Sequence, residues 1–325
     1  MRAIVVSELG NPDVLRLSDI NDPKPGPGEL LVEVGAAGVN FIETYQRGGL
    51  YQMNLPYTPG AEAAGHVLAV GEGVTEFHVG DRVATVNAQG SYAEQAIVAA
   101  DRAVSVPDGV DIETAAAALL QGMTAHYLTQ STYPVKSGET ALVHAAAGGM
   151  GLLLTQLVKA AGGKVIGTTS TEAKAELASE AGADEVIRYD QFEDDALAAE
   201  VLRRNGGQGV HVVYDGVGAS TFEASLGSLR PRGMLVSFGN ASGPVPPVAP
   251  LRLSQGGSLF LTRPTLNHYV VARQELEWRA SDVFRWIQDG TLKIQIGANY
   301  PLGEAAQAHR DLEARKTTGK LLLIP

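Results

Sequence analysis

Gly138-Glu-Thr-Ala-Leu-Val-His-Ala-Ala-Ala-Gly-Gly-Met-Gly-Leu-Leu-Leu-Thr-Gln-Leu-Val-Lys159 is the stretch whose reading decides the fold. Residues 139–144 are short and apolar, as a buried strand is, and residues 150–161 are apolar over a length that suits a helix. The chain must turn sharply between them, over residues 146–151, and Gly148, Gly149 and Gly151 supply that turn. With so little side chain there, the N–H groups of the helix start, Met150 among them, can approach a pyrophosphate, which the positive end of the helix dipole also favours. Gly151 lets helix and strand pack closely. Against the G-x-G-x-x-G template Ala146 stands at the first glycine, so the bare pattern is imperfect and a glycine-rich turn without a ligand is the competing reading.

Downstream the pattern repeats. Apolar runs at 164–168, 185–187, 210–214 and 233–238 alternate with helical segments at 172–181, 192–204 and 221–229, and a sixth strand is expected at 258–262. That rhythm predicts a parallel, doubly wound sheet with helices on both faces. Gly162, Gly182 and Gly206 stand where helices close. The end of the second strand reads Gly167-Thr-Thr-Ser170 and carries no Asp or Glu, the residue that would bind the ribose hydroxyls of an unphosphorylated dinucleotide. Lys174 follows within the first helical turn, where an ammonium can reach a 2′-phosphate. NADP is therefore the preferred cofactor. Glu172 is read as a helix-dipole partner, and Arg188 and Tyr189 as either the adenine side or plain surface. Gly216 in Tyr214-Asp-Gly-Val-Gly218 and Phe238, Gly239 and Asn240 in Ser237-Phe-Gly-Asn240 follow apolar strands, at the carboxyl edge where such sheets meet their ligands. Residues 240–250 are too proline-rich for regular structure.

Before this region the chain reads as short, antiparallel strands at 3–6, 14–18, 30–34, 65–70, 82–85, 93–98 and 103–106, cut by glycine and proline turns. Asp111 is a candidate N-cap for a helix at 111–120. Residues 36–51 concentrate polar and aromatic side chains in a loop. Asn40 can hydrogen-bond a carbonyl there, and Tyr45 and Tyr51 offer flat faces and hydroxyls, or else they are a turn asparagine and two packing tyrosines. His66 and His78 lie outside any metal-like spacing. Beyond Pro264 the alternation stops; a long amphipathic segment at 270–289, the run 292–296, a helix at 303–313 and a strand at 320–324 are expected to return to the first domain.

Composition bounds the function. The 325 residues suffice for two domains, and 45% apolar content with 38 Gly and 16 Pro suits a turn-rich α/β enzyme. A formal charge of −11 disfavours nucleic acid and anionic membranes as partners. The absence of cysteine removes disulfides and thiolate metal sites. No run approaches the ~18 apolar residues of a membrane span and the start does not read as a signal peptide, so a cytoplasmic protein is expected.

These residues resemble a known family. Val39-Asn-Phe-Ile42, Gly60-Ala-Glu-Ala-Ala-Gly65, Gly122-Met-Thr-Ala125, Ser237-Phe-Gly-Asn240 and Thr262-Arg-Pro264 are similar to motifs of the zinc-independent quinone oxidoreductases of the medium-chain dehydrogenase/reductase superfamily, the ζ-crystallin group. The opening stretch matches that family's signature at Gly138-Glu139, Leu142, Ala146-Ala147-Gly148-Gly149, Gly151, Gln156 and Lys159. The resemblance implies a GroES-like β-rich catalytic domain over residues 1–123, completed by 264–325, and a Rossmann domain over 124–263. It also implies NADPH in the cleft between them and a homodimer through the Rossmann sheets. Zinc-dependent relatives carry Cys where Asn40 stands and His where Ala61 stands, so no metal is expected. By resemblance, Thr124 fixes the nicotinamide carboxamide with Tyr127 nearby, and Asn40, Tyr45 and Tyr51 line the acceptor pocket. Lys174, Ser170 and Tyr189 take the adenosine 2′-phosphate end. Gly149, Met150, Phe238, Asn240, Thr262, Arg263 and Lys320 take other parts of NADPH.

The expected activity is NADPH-dependent reduction of a planar quinone by electrons or hydride. An NADPH-dependent enone or alkenal double-bond reductase is the alternative on the same scaffold. A crystallin-type or AU-rich RNA-binding role, implied by the family alone, finds no Lys/Arg-rich run beside aromatics to support it.

Overall fold

Strand-forming residues between glycine and proline turns open the chain as β1 (Arg2–Val5), β2 (Arg16–Asp19) and β3 (Glu29–Val39). After helix α1 (Phe41–Arg47) come β4 (Ala63–Val70), β5 (Arg82–Thr85), β6 (Gln95–Ala99) and β7 (Ala103–Ser105). This is a computed structural model, and it describes residues 1–191 and 196–325. β3 is the hub, pairing antiparallel with both β4 and β6. Its long run of alternating burial places Val32, Val34 and Val39 in a core with Ile4, Val67 and Tyr92. Helix α2 (Ile112–Tyr127) follows, and Asp111 caps it as expected, accepting the Thr114 N–H at 2.6 Å. The stretch expected as a loop at 36–51 is instead the end of β3 followed by α1, because Glu43 accepts the N–H of Asn40 at 2.8 Å and closes the helix start.

The glycine turn does what its sequence requires. β8 (Thr140–Val143) enters it and α3 (Gly149–Ala160) leaves it. Then follow β9 (Lys164–Thr169), α4 (Glu172–Glu180), β10 (Glu185–Arg188), α5 (Leu197–Arg204), β11 (Val210–Asp215), α6 (Phe222–Gly227), β12 (Leu229–Ser237), α7 (Pro250–Gln255) and β13 (Phe260–Thr262). All six strands run parallel in the order β10-β9-β8-β11-β12-β13. The strand order therefore reverses beside β8, which is the topological switch point of a doubly wound sheet. Of the helix expected over 192–204, residues 192–195 lie outside the described ones. The short helix α7 was not foreseen in the proline-rich stretch; Pro250 sits in its first turn, where a missing N–H costs nothing.

The tail forms α8 (Arg273–Gln288), β14 (Ile296–Pro301), α9 (Ala305–Glu313) and β15 (Lys320–Ile324). β15 pairs antiparallel with β3 and parallel with β14, so the tail does complete the first sheet. Of the run 292–296 only Ile296 enters a strand, β14. Leu292 is buried with its N–H on Trp286 O at 2.8 Å, closing α8, and the strand comes from the less apolar Ile296–Pro301, held by β15. Two units result, Met1–Met123 with Val271–Pro325 and Thr124–Val270.

Candidate functional site

In the second unit the cradle is built at the carboxyl end of β8. Gly148 is the N-cap of α3 and no side chain caps it; the first backbone bond into the helix is Leu152 N–H to Gly148 O at 2.9 Å. The N–H groups of Gly149, Met150 and Gly151 are thus left for an external acceptor, at the positive end of a 12-residue helix. A Cβ on Gly151 would run into Ala145 O and lie 2.6 Å from Ala146 Cα, so only glycine lets the turn close. Gly167 on β9 is needed for the same reason: its Cβ would come within 2.8 Å of the Ala146 methyl.

The neighbouring strand ends supply the other residues expected of the site. Ser170 follows β9, and the Thr171 hydroxyl caps α4 by accepting the Lys174 N–H at 3.3 Å, which places Lys174 in the first turn. Arg188 holds Glu172 at 2.5 Å and Asp190 at 2.9 Å, so the acid that follows this strand end is ion-paired. Tyr189 follows β10, half-buried. Gly216 follows β11 and Phe238, Gly239 and Asn240 follow β12; all four are half-buried. A Cβ on Gly216 would meet the Phe238 ring at 2.8 Å, and one on Gly239 would meet Gly216 Cα at 2.9 Å, so these glycines also serve close packing of the two loops. Thr262 ends β13 and Arg263 is exposed beyond it, donating to Pro264 O at 3.3 Å. Eleven predicted residues, from Gly148 to Arg263, thus converge on strand ends of one sheet or the turns leaving them; Lys174 sits one turn further on.

Two α2 residues differ from each other. Thr124 is half-buried, whereas Tyr127 is 1% exposed and its ring stacks on Tyr269 at 4.2 Å. Tyr269, whose hydroxyl accepts from Thr132 at 2.9 Å, went unnoticed in the sequence because nothing local marks it. Asp215 was also missed. It accepts the N–H groups of Val217 and Gly218 at 2.8 and 3.0 Å, an Asx-type turn that an Asp-Gly pair after a strand could have signalled.

In the first unit Asn40 stands at the start of α1, Tyr45 on it and Tyr51 in the loop after it. Tyr45 and Tyr51 meet edge to face at 5.6 Å, and Tyr51 is 38% exposed. Asn40 makes three side-chain bonds. Its Nδ2 donates to Glu62 at 3.0 Å and to Gly38 O at 3.3 Å, and its Oδ1 accepts from Lys320 Nζ at 2.5 Å. The carboxamide is thus held in a buried hydrogen-bond network. Lys320 is 2% exposed and held by Glu62 at 2.5 Å. Beneath them Glu43 is fully buried, and burial pushes its carboxyl up to about 8 against the opposing pull of Lys320.

Comparison with known proteins agrees with this geometry. Residues 26–108 match the family model of the alcohol dehydrogenase GroES-like domain, and residues 149–288 that of the zinc-binding dehydrogenases. A quinone oxidoreductase of Pseudomonas aeruginosa is 47% identical over 326 residues, covering 100% of this chain and 99% of that one. The chain belongs to the quinone oxidoreductase family of the medium-chain dehydrogenases/reductases. Within that family, a mycobacterial protein solved as a complex with NADPH, Rv1454c, superposes with a TM-score of 0.97 at 51% identity, each chain covered in full. A 2-haloacrylate reductase from Burkholderia sp. is 40% identical, covering 99% of this chain and 98% of its own.

Zinc, named by the second family model, does not fit this member's residues. At the two positions where zinc-dependent relatives carry Cys and His stand the amide of Asn40 and the methyl of Ala61, and the Lys320 ammonium already lies 2.5 Å from both Asn40 Oδ1 and Glu62 Oε2. A metal ion there would face a fixed positive charge and no soft donor.

Proposed function

We propose that this chain is an NADPH-dependent quinone reductase that works without a metal, delivering electrons or hydride to a planar acceptor. The observation that carries the reading is the chain-long identity to a quinone oxidoreductase in a protein whose α3 N-terminus opens, uncapped, at the switch point of a doubly wound sheet. Bound there, NADPH supplies the reducing equivalents, and the balance is quinone plus NADPH plus one proton giving quinol plus NADP. The residues present suit it: glycines where a Cβ would fill the cradle, free N–H groups for a pyrophosphate, and no acid at the end of β9. Ser170, Lys174 and Tyr189 take the 2′-phosphate, and Gly216, Phe238, Gly239, Asn240, Thr262 and Arg263 line the path of the dinucleotide. Thr124 orients the nicotinamide amide. Tyr45 and Tyr51 stack the acceptor and bond its oxygens, while Asn40 and Lys320 hold the start of α1 beneath them.

Purified protein should oxidise NADPH faster than NADH when small quinones are added. Saturation of an enone or a 2-haloacrylate with quinones left untouched would overturn the quinone assignment in favour of a double-bond reductase, the reading that the 2-haloacrylate reductase relative favours. We further assign a cytoplasmic homodimer joined along β13, an edge strand whose Phe260 is 56% exposed. Sedimentation should give a dimer, and Phe260→Lys should shift it toward monomer.

A further inference from the structure

A buried chain of hydrogen bonds runs under the cradle, through groups that neither the family comparison nor the cofactor contacts assign. His144, the first residue after β8, is 4% exposed; its Nδ1 lies 3.0 Å from Thr168 Oγ1 on β9 and its Nε2 3.0 Å from Ser225 Oγ on α6. Ser225 in turn donates to Asp215 Oδ2 on β11 at 2.7 Å. The direction of the chain follows from its end. A carboxylate only accepts, so the Ser225 hydrogen is committed to Asp215 and its oxygen must accept from His144 Nε2–H. Nδ1 then carries the lone pair that takes the Thr168 hydroxyl hydrogen. Burial lowers the imidazole's basicity, in keeping with this neutral tautomer.

What the chain holds is the next residue. Ala145 has a φ of +50°, the left-handed region that a side chain adopts only at a cost of order 1–3 kcal/mol. The conformation matters: Ala145 O accepts the Gly148 N–H at 2.9 Å, and that bond turns the chain into the N-terminus of α3. Backbone bonds grip the residues on either side, His144 N–H on Tyr214 O at 3.2 Å and Ala146 N–H on Thr168 O at 3.0 Å. The imidazole repeats both ties through side chains.

We propose that His144 is a positioning residue for the dinucleotide: by bridging Thr168 and Ser225–Asp215 it clamps the ends of β8, β9 and β11 and holds Ala145 in the left-handed turn that aims the α3 amides. The same bridge joins the strand end leading to Ser170 with the Asp215 loop that carries Gly216, so the two ends of the cofactor site share one support. The proposal rests on the reading that NADPH binds in this cradle.

The test is NADPH affinity, followed by fluorescence titration of the full chain. Failure of the unaltered protein to bind NADPH would sink the cofactor reading itself; with that binding established, the variants judge His144. His144→Leu, which removes both links, should weaken NADPH about tenfold to a hundredfold. Adding Ala145→Gly should recover much of that loss, since glycine adopts positive φ without strain; a residue important only for packing would not be rescued at its neighbour's backbone. Wild-type affinity in a folded His144→Leu protein, or no recovery with Ala145→Gly, would overturn the proposal. If His144→Leu does not fold, His144→Asn, which keeps an acceptor for Thr168, and His144→Gln, which keeps a donor for Ser225, should each bind NADPH several-fold more weakly than wild type. Unchanged affinity in both would equally overturn it.

Discussion

Lys174 shows how much a single position can decide. The strand end before it lacks an acid, Arg188 pairs with Glu172, and the Thr171 cap fixes the backbone of Lys174 in the first turn of α4. A charge-assisted bond from its ammonium to a phosphate is worth about 1.5–3 kcal/mol, so Lys174→Ala should raise the KM for NADPH roughly tenfold to a hundredfold and leave that for NADH nearly unchanged. Equal losses for both cofactors would remove Lys174 from the 2′-phosphate. At this scale the sequence was legible where a residue acts through its own position at a helix start, as Asp111 does. It was not legible for Asn40 and Lys320. Their partners, Glu62 and each other, lie 22 and 280 residues away in sequence, and only pairing of β15 and β4 with β3 brings them together.

Among the elements, the β8–α3 turn depends on backbone proximity rather than on any side chain. Gly151→Ala would drive a methyl against Ala145 O and within 2.6 Å of Ala146 Cα, both backbone atoms that cannot swing aside. Overpacking of this kind costs about 1–3 kcal/mol and here also moves the α3 amides. Thermal melts should show a lower Tm, and NADPH titration a weakened or lost signal; a variant with normal Tm and normal affinity would mean that the turn has slack. The run 292–296 teaches the converse. Leu292 and Ile294 look like a strand locally, but β14 is defined by the partner that β15 offers, and a partner's register is absent from a local window.

For the whole molecule, two buried groups set opposite limits on stability. Glu43 is raised to about 8 from 4.5, so above pH 4.5 the unfolded chain loses a proton that the folded one keeps, and stability falls as pH rises toward 8. His309, buried and bonded to Tyr92 at 3.1 Å, is lowered to about 3 from 6.5, so the unfolded chain gains a proton first and stability falls as pH drops below 6.5. Between pH 4.5 and 6.5 the two slopes oppose each other, and a broad maximum is expected there, with decline on either side. Glu43→Gln, which keeps an oxygen for the Asn40 N–H, should flatten the alkaline limb. Melts of the two proteins between pH 6 and 8 check this: parallel curves would show that Glu43 does not carry the limb.

By itself the sequence determined the doubly wound sheet, the strand–glycine–helix cradle and the absence of an acid at the end of β9. These are properties of periodicity and of single positions, readable because helix and strand repeats and glycine's missing Cβ act locally. Only the tertiary structure decided that Asn40 and Lys320 form a locked buried pair with Glu62, that Tyr127 lies against Tyr269, and that His144 links Thr168 on β9 to Ser225 on α6 and through it to Asp215. Those are contacts between segments far apart in the chain, and their distances are set by sheet register and burial. That is why the opening stretch, Gly138–Lys159, announced a cradle but not the histidine bridge within it that supports the turn.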